Sequence, residues 1–134
     1  MTELLDANVL CRYLTGDHPE HSERAAGLIE SERSLRISVL ILAEAAHVLR
    51  RVYGHPPAVV VDALIQLLGR ENLEVHEVDT DLVVQALLAC RDSGRVSVPD
   101  ALLWALARGA APSRVWSFDR RFPATGIELR EPAP

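Results

Sequence analysis

Lysine is absent from this sequence: all 14 basic residues are arginines. Enzymes whose chemistry needs a positioned lysine are thereby excluded. Cysteine is scarce as well, since Cys11 and Cys90 are the only two and share no C-x-x-C spacing. Neither a zinc site nor a disulfide scaffold is indicated, and both thiols are expected to be small core residues. Positive charge is in deficit, with a formal net charge of -5. That balance argues against binding nucleic acid by blanket phosphate neutralisation, so a nucleic-acid substrate would need bound cations to help. Long apolar runs are missing: residues 39–43 continue past Glu44 only to residue 49, far short of the ~20 apolar residues that span a bilayer. The opening Met1-Thr2-Glu3 offers no basic n-region and no apolar h-region. The expected compartment is therefore the cytoplasm, with no membrane partner.

What is present is a globular composition. Of 134 residues, 49% are hydrophobic and 25% charged, which suits one domain able to bury a sizeable core. That domain is expected over residues 1–130, with 131–134 as a frayed, Pro-rich tail. Residues 3–6 read as a short apolar strand ending in a carboxylate, and 9–15 as a helix closed by Gly16. An amphipathic helix is expected from Pro19 to about Arg33, then a strand over 35–37. Ser38 is a candidate N-cap for a helix ending at Gly54, with Arg50 and Arg51 favourably placed for the helix dipole. Further helices are expected over 58–68, 79–90 and 99–108, the second broken by Asp92-Ser93-Gly94. Strands are expected over 73–78, 114–118 and 127–129. The alternation predicts a three-layer α/β/α fold with a central, mainly parallel sheet, whose ligand sites lie at the carboxyl ends of the strands.

Four acids stand out. Asp6 and Asp119 each end an expected strand, although aspartate is also an ordinary turn former. Glu44 is the only charged residue between Ile37 and Arg50. A buried carboxylate there needs a partner, either a cation or a neighbouring arginine. Asp100 lies three residues after Ser97, where an acid completes a capping box. If the four converge, their mutual repulsion calls for neutralisation, and an oxygen-only donor set favours a hard cation such as Mg²⁺ or Mn²⁺ over zinc.

The same residues resemble a known family. Leu4-Leu5-Asp6-Ala7-Asn8-Val9-Leu10, followed by Tyr13-Leu14, looks like the opening of PIN-domain toxins of the VapC type. Ser38 through Leu42-Ala43-Glu44 and Val48-Leu49, then Pro99-Asp100-Ala101-Leu102-Leu103, then Ser117-Phe118-Asp119-Arg120-Arg121-Phe122, agree in order and type. The resemblance spans nearly the whole chain. It implies that Asp6, Glu44 and Asp100 bind metal, that Asp119 is the more variable fourth acid, and that Asn8 and Ser117 are supporting polar positions. Ala7 departs from the small hydroxyl residue of many relatives. The resemblance further implies a PIN-like fold, endoribonuclease activity as a toxin, homodimerisation, and inhibition by a VapB-type antitoxin in a toxin–antitoxin hetero-oligomer.

The expected chemistry is hydrolysis of an RNA phosphodiester by in-line attack of a metal-activated water. Arg12, Arg50, Arg120 and Arg121 are candidates for flanking phosphates, each also readable as a solvated surface charge. Three rivals are weighed. Histidine-based cleavage through the ribose 2′-hydroxyl is disfavoured by the scatter of His18, His21, His47, His55 and His76, and His47 reads as packed within its helix. Receiver-like and haloacid-dehalogenase-like phosphate chemistry fails for want of a lysine. An inactive RNA- or antitoxin-binding module would be expected to carry incomplete carboxylates, and all four are present.

Overall fold

The first apolar segment barely pairs. In a computed structural model, which describes residues 1–92 and 95–134, Leu4 makes a single parallel bridge to Arg36. The Leu5 amide donates to the Arg36 carbonyl at 3.0 Å, and the Arg36 amide to the Glu3 carbonyl at 2.9 Å. The expected strand at 3–6 is thus reduced to one bridge. The described residues form six helices and four short strands, and every named strand pairs in parallel. This is a mixed α/β fold, as the alternation of patterns implies. The chain divides into two compact units, Met1–Glu77 and Val78–Pro134.

The first unit holds α1 (Ala7–Thr15), α2 (Pro19–Ile29), β1 (Leu35–Ile37), α3 (Val39–Arg51), α4 (Pro57–Leu68) and β2 (Leu73–Val75). β1 pairs with β2 in the register Leu35 to Leu73, Arg36 to Glu74, Ile37 to Val75. The period of two sends Leu35, Ile37, Leu73 and Val75 into the core and leaves Arg36 and Glu74 outside. There the two form an ion pair at 2.8 Å, a favourable cross-strand pair. Leu10, Ile29, Leu42 and Leu64 are fully buried among the helices. Gly16 closes α1 in the left-handed conformation, φ 64°, which costs glycine nothing. Ser38 caps α3 by accepting from the Ile41 amide at 3.2 Å.

The second unit holds α5 (Thr80–Arg91), α6 (Val98–Gly109), β3 (Arg114–Trp116) and β4 (Glu128–Arg130). Asp79 caps α5 and Ser97 caps α6, each accepting from a first-turn amide. β3 pairs with β4, placing Val115 inside. The Trp104 indole donates to the Thr125 carbonyl at 2.9 Å, which ties α6 to the loop before β4. Of the break expected at Asp92-Ser93-Gly94, Ser93 and Gly94 lie outside the described residues. Residues 131–134 carry no regular structure. Cys11 and Cys90 are buried free thiols, as expected for core residues. Among the described residues no helix is long and apolar enough to cross a membrane.

Candidate metal centre

Asp6 sits at the N-cap of α1 with extended backbone angles, φ -88° and ψ 158°, yet its side chain makes no capping hydrogen bond. An N-cap aspartate normally spends an oxygen on the first-turn amides. Asp6 keeps both, on an exposed residue, beside a helix N-terminus that favours negative charge.

Glu44 requires a correction. It is exposed, not buried. α3 turns Leu42, Ala45, Ala46 and Leu49 inward, and residues spaced by three or four share a helix face. Leu40, Glu44 and His47 follow that spacing on the opposite, exposed face. His47 is accordingly not packed, and the arginine partner considered for Glu44 is not found: among the described residues its carboxylate makes no hydrogen bond or ion pair. The apolar surroundings in sequence are those of the inward face. α1 packs against α3, and Asp6 and Glu44 both act on the same thiol: burial first, then the charges of Asp17, Glu44 and Asp6, push Cys11 up, against the lowering effect of Arg12.

In the second unit, Asp100 lies in the first turn of α6, where its amide donates to the Ser97 hydroxyl at 3.2 Å. Its half-exposed carboxylate has no partner among the described residues. Burial, helped by the charge of Asp100, pushes the Cys90 thiol up to about 11. Asp119 lies three residues beyond β3 in a loop, not at a strand's last residue. Its Oδ1 accepts from the Arg121 amide at 2.9 Å, and its own amide donates to the Ser117 hydroxyl at 3.0 Å. It is therefore a turn former with one oxygen left over, and Ser117 shapes that turn. Asn8 is exposed on the first turn of α1. It borders an open groove of about 460 Å³ with Val9, Arg12, His21, Arg24 and Leu28.

Of the arginines considered for phosphate contacts, Arg12 is held by Asp17 at 2.6 Å and Arg120 by Glu131 at 3.4 Å. Arg50 and Arg121 have no carboxylate partner among the described residues. Two exposed aromatics, Trp116 and Phe118, have no assigned role in the sequence reading. The outward alternation of Arg114, Trp116 and Phe118 was their signal.

Among the described residues no group of three or more His, Cys, Asp or Glu side chains stands close enough to hold a metal ion. The donor chemistry nevertheless fits a hard divalent cation. In the first unit Asp6 and Glu44, and in the second Asp100 and one oxygen of Asp119, offer carboxylate oxygens with no arginine or cap partner among the described residues.

The chain matches the PIN domain over residues 4–128. It belongs to the PIN domain family. No curated protein matches it. PIN domains are nucleases in general, commonly bind nucleic acids and generally use divalent metals. The match covers both compact units and includes Asp6, Glu44, Asp100 and Asp119.

Proposed function

We propose that this PIN domain is a Mg²⁺- or Mn²⁺-dependent endoribonuclease, the toxin of a VapBC-type pair. Asp6, Glu44, Asp100 and Asp119 are its metal-binding acids, supported by Asn8 and Ser117. The observation that carries the reading is the Asp6 carboxylate, which occupies a capping position without capping. A side chain that forgoes the hydrogen bond its backbone offers is available to a ligand. The PIN match and the four ordered sequence blocks support the rest.

When bound, the divalent ion supplies a polarised water nucleophile and neutralises charge on the phosphodiester. The chain's part is to hold oxygens in place. The bridge of Leu4 to Arg36 fixes the approach to Asp6, the Ser38 cap fixes the start of the helix carrying Glu44, and the Ser97 cap does the same for Asp100. The Ser117 hydroxyl and the Arg121 amide hold the Asp119 turn. Arg50 and Arg121, which have no carboxylate partner among the described residues, are the guanidinium groups to meet phosphate. With no lysine in the chain, guanidinium groups and the bound cation are what can balance RNA charge. The toxin assignment brings a VapB-type antitoxin, a homodimer and a toxin–antitoxin hetero-oligomer as expected partners, in the cytoplasm.

The test is cleavage of total RNA by purified, antitoxin-free protein with Mg²⁺ or Mn²⁺, against EDTA and against Asp6→Asn. EDTA should abolish cutting. Asp6→Asn should lower it by about 100-fold or more, because a bound metal contributes several kcal/mol of charge stabilisation at about 1.4 kcal/mol per decade of rate. Undiminished cutting in both controls would sink the reading. Growth arrest on expression, relieved by a co-expressed neighbouring antitoxin gene, tests the toxin role separately.

A further inference from the structure

Aromatic residues are few in this chain: two Trp, two Tyr and two Phe. Four of them have evident structural work. Trp104 and Phe122 are buried, and the Tyr13 and Tyr53 hydroxyls donate to Glu30 and Asp17. The other two face solvent two residues apart, Trp116 at 59% and Phe118 at 75% relative exposure. Along β3 and just beyond it, Arg114, Trp116 and Phe118 are exposed while Val115 is buried. The alternation is that of a strand presenting one face to solvent.

The surroundings of these rings are cationic for this chain. The Arg114 guanidinium lies 5.7 Å from the centre of the Trp116 ring, within cation–π range. The stretch 113–131 carries Arg114, Arg120, Arg121 and Arg130 against Asp119, Glu128 and Glu131, in a protein whose net charge is -5. Glu128 holds Arg114 and Arg130, and Glu131 holds Arg120. The Arg121 guanidinium has no carboxylate partner among the described residues. The next residue after Phe118 is Asp119, whose turn presents its second oxygen.

We propose that Trp116 and Phe118 are a stacking platform for unpaired bases of a single-stranded RNA, with Arg121 taking a phosphate of the same strand. The inference rests on the nuclease reading for its substrate class and adds which residues hold the strand. Exposed rings beside guanidinium groups match what single-strand binders use, because every base has a π-face and stacking needs no sequence readout. Bases within a duplex have both faces covered and cannot use the platform. The adjacency to Asp119 places the held nucleotides beside an acid of the proposed metal centre.

The experiment separates binding from cutting by using an unstructured oligoribonucleotide with Ca²⁺, another hard cation for carboxylate oxygens, in place of Mg²⁺ or Mn²⁺, with strand integrity checked on a gel and binding read by tryptophan fluorescence and by anisotropy of a labelled strand. Trp104 is buried, so quenching reports Trp116. Single-stranded RNA should quench the emission and duplex RNA of the same length should not. Trp116→Ala and Phe118→Ala should each weaken binding between about 5- and 150-fold, the range for loss of one base stack. Trp116→Phe should retain affinity within a few-fold by anisotropy, and all three variants should melt like the parent because the residues are exposed. Binding within twofold of the parent for both alanine variants overturns the platform. So does a loss of self-association on sedimentation with RNA affinity unchanged, which would make this face a protein contact. RNA binding through Trp116 without cleavage in Mg²⁺ or Mn²⁺ supports the platform and sinks the nuclease reading. Cleavage with KM unmoved by Trp116→Ala does the reverse.

Discussion

The Asp17 carboxylate meets three side-chain donors. It accepts from the Tyr53 hydroxyl, from the Thr15 hydroxyl at 2.9 Å and from Arg12 at 2.6 Å. Led by the Tyr53 hydrogen bond, these hold its pKa down from 3.8 to about 2. A depressed folded-state pKa means the carboxylate contributes stability above its unfolded value and loses it as pH falls through the folded one. The melting temperature should therefore drop between about pH 4 and pH 2 more steeply in the parent than in Asp17→Asn. Equal slopes in thermal unfolding across that range would show that the network carries no stability. Glu44 is the opposite case, exposed and without a partner among the described residues. Glu44→Gln should leave stability within about 0.5 kcal/mol, as surface substitutions do, while removing most RNA cleavage. Its oddness was legible in the sequence, but for a reason the helix face revises. A charge within an apolar run implied burial, whereas the run supplies the inward stripe and Glu44 points outward.

At the scale of elements, signals confined to a few neighbouring residues were readable. Ser38, Ser97 and Gly16 end or begin helices where a local pattern places them, because capping is settled within one turn. Boundaries set from a distance were not. The expected helix from Pro19 to about Arg33 stops at Ile29. The amide of Asn72, some 40 residues on, donates to the carbonyls of Ile29, Ser31 and Arg33 at 2.9 to 3.1 Å. Those carbonyls are satisfied without continuing the helix, and nothing near residue 30 announces it. The strand expected over 73–78 likewise ends at Val75, since ladder length depends on the partner strand. Asn72→Ala should cost about 1–3 kcal/mol, the penalty for leaving part-buried acceptors unmet, and should show as a lower urea midpoint at unchanged slope. An unchanged midpoint would mean water replaces the amide fully.

For the whole molecule, the decisive property is that its proposed metal-binding acids come from positions as far apart in sequence as 6 and 119, in a chain already at net charge -5. Sequence order and residue type made those acids legible. Whether they share one ion is not legible in sequence, because that depends on how distant segments are brought together. If the four acids do share an ion, their repulsion opposes folding when no ion is present, and an ion that binds only the folded chain must stabilise it. Thermal unfolding in EDTA and in rising Mn²⁺ reads both effects. Mn²⁺ at about 100 times its Kd should add about 2.7 kcal/mol to the parent, a shift of several degrees, and much less to Asp6→Asn. In EDTA, Asp6→Asn should be neutral or stabilising, because it removes one of four like charges. Asp17→Asn, whose carboxylate is matched to Arg12, should be destabilising under the same conditions. A parent protein that melts identically with and without Mn²⁺, together with an Asp6→Asn variant that melts lower in EDTA, would assign Asp6 an ordinary structural role. Asp6, Glu44, Asp100 and Asp119 would then be four separate surface charges on a PIN fold.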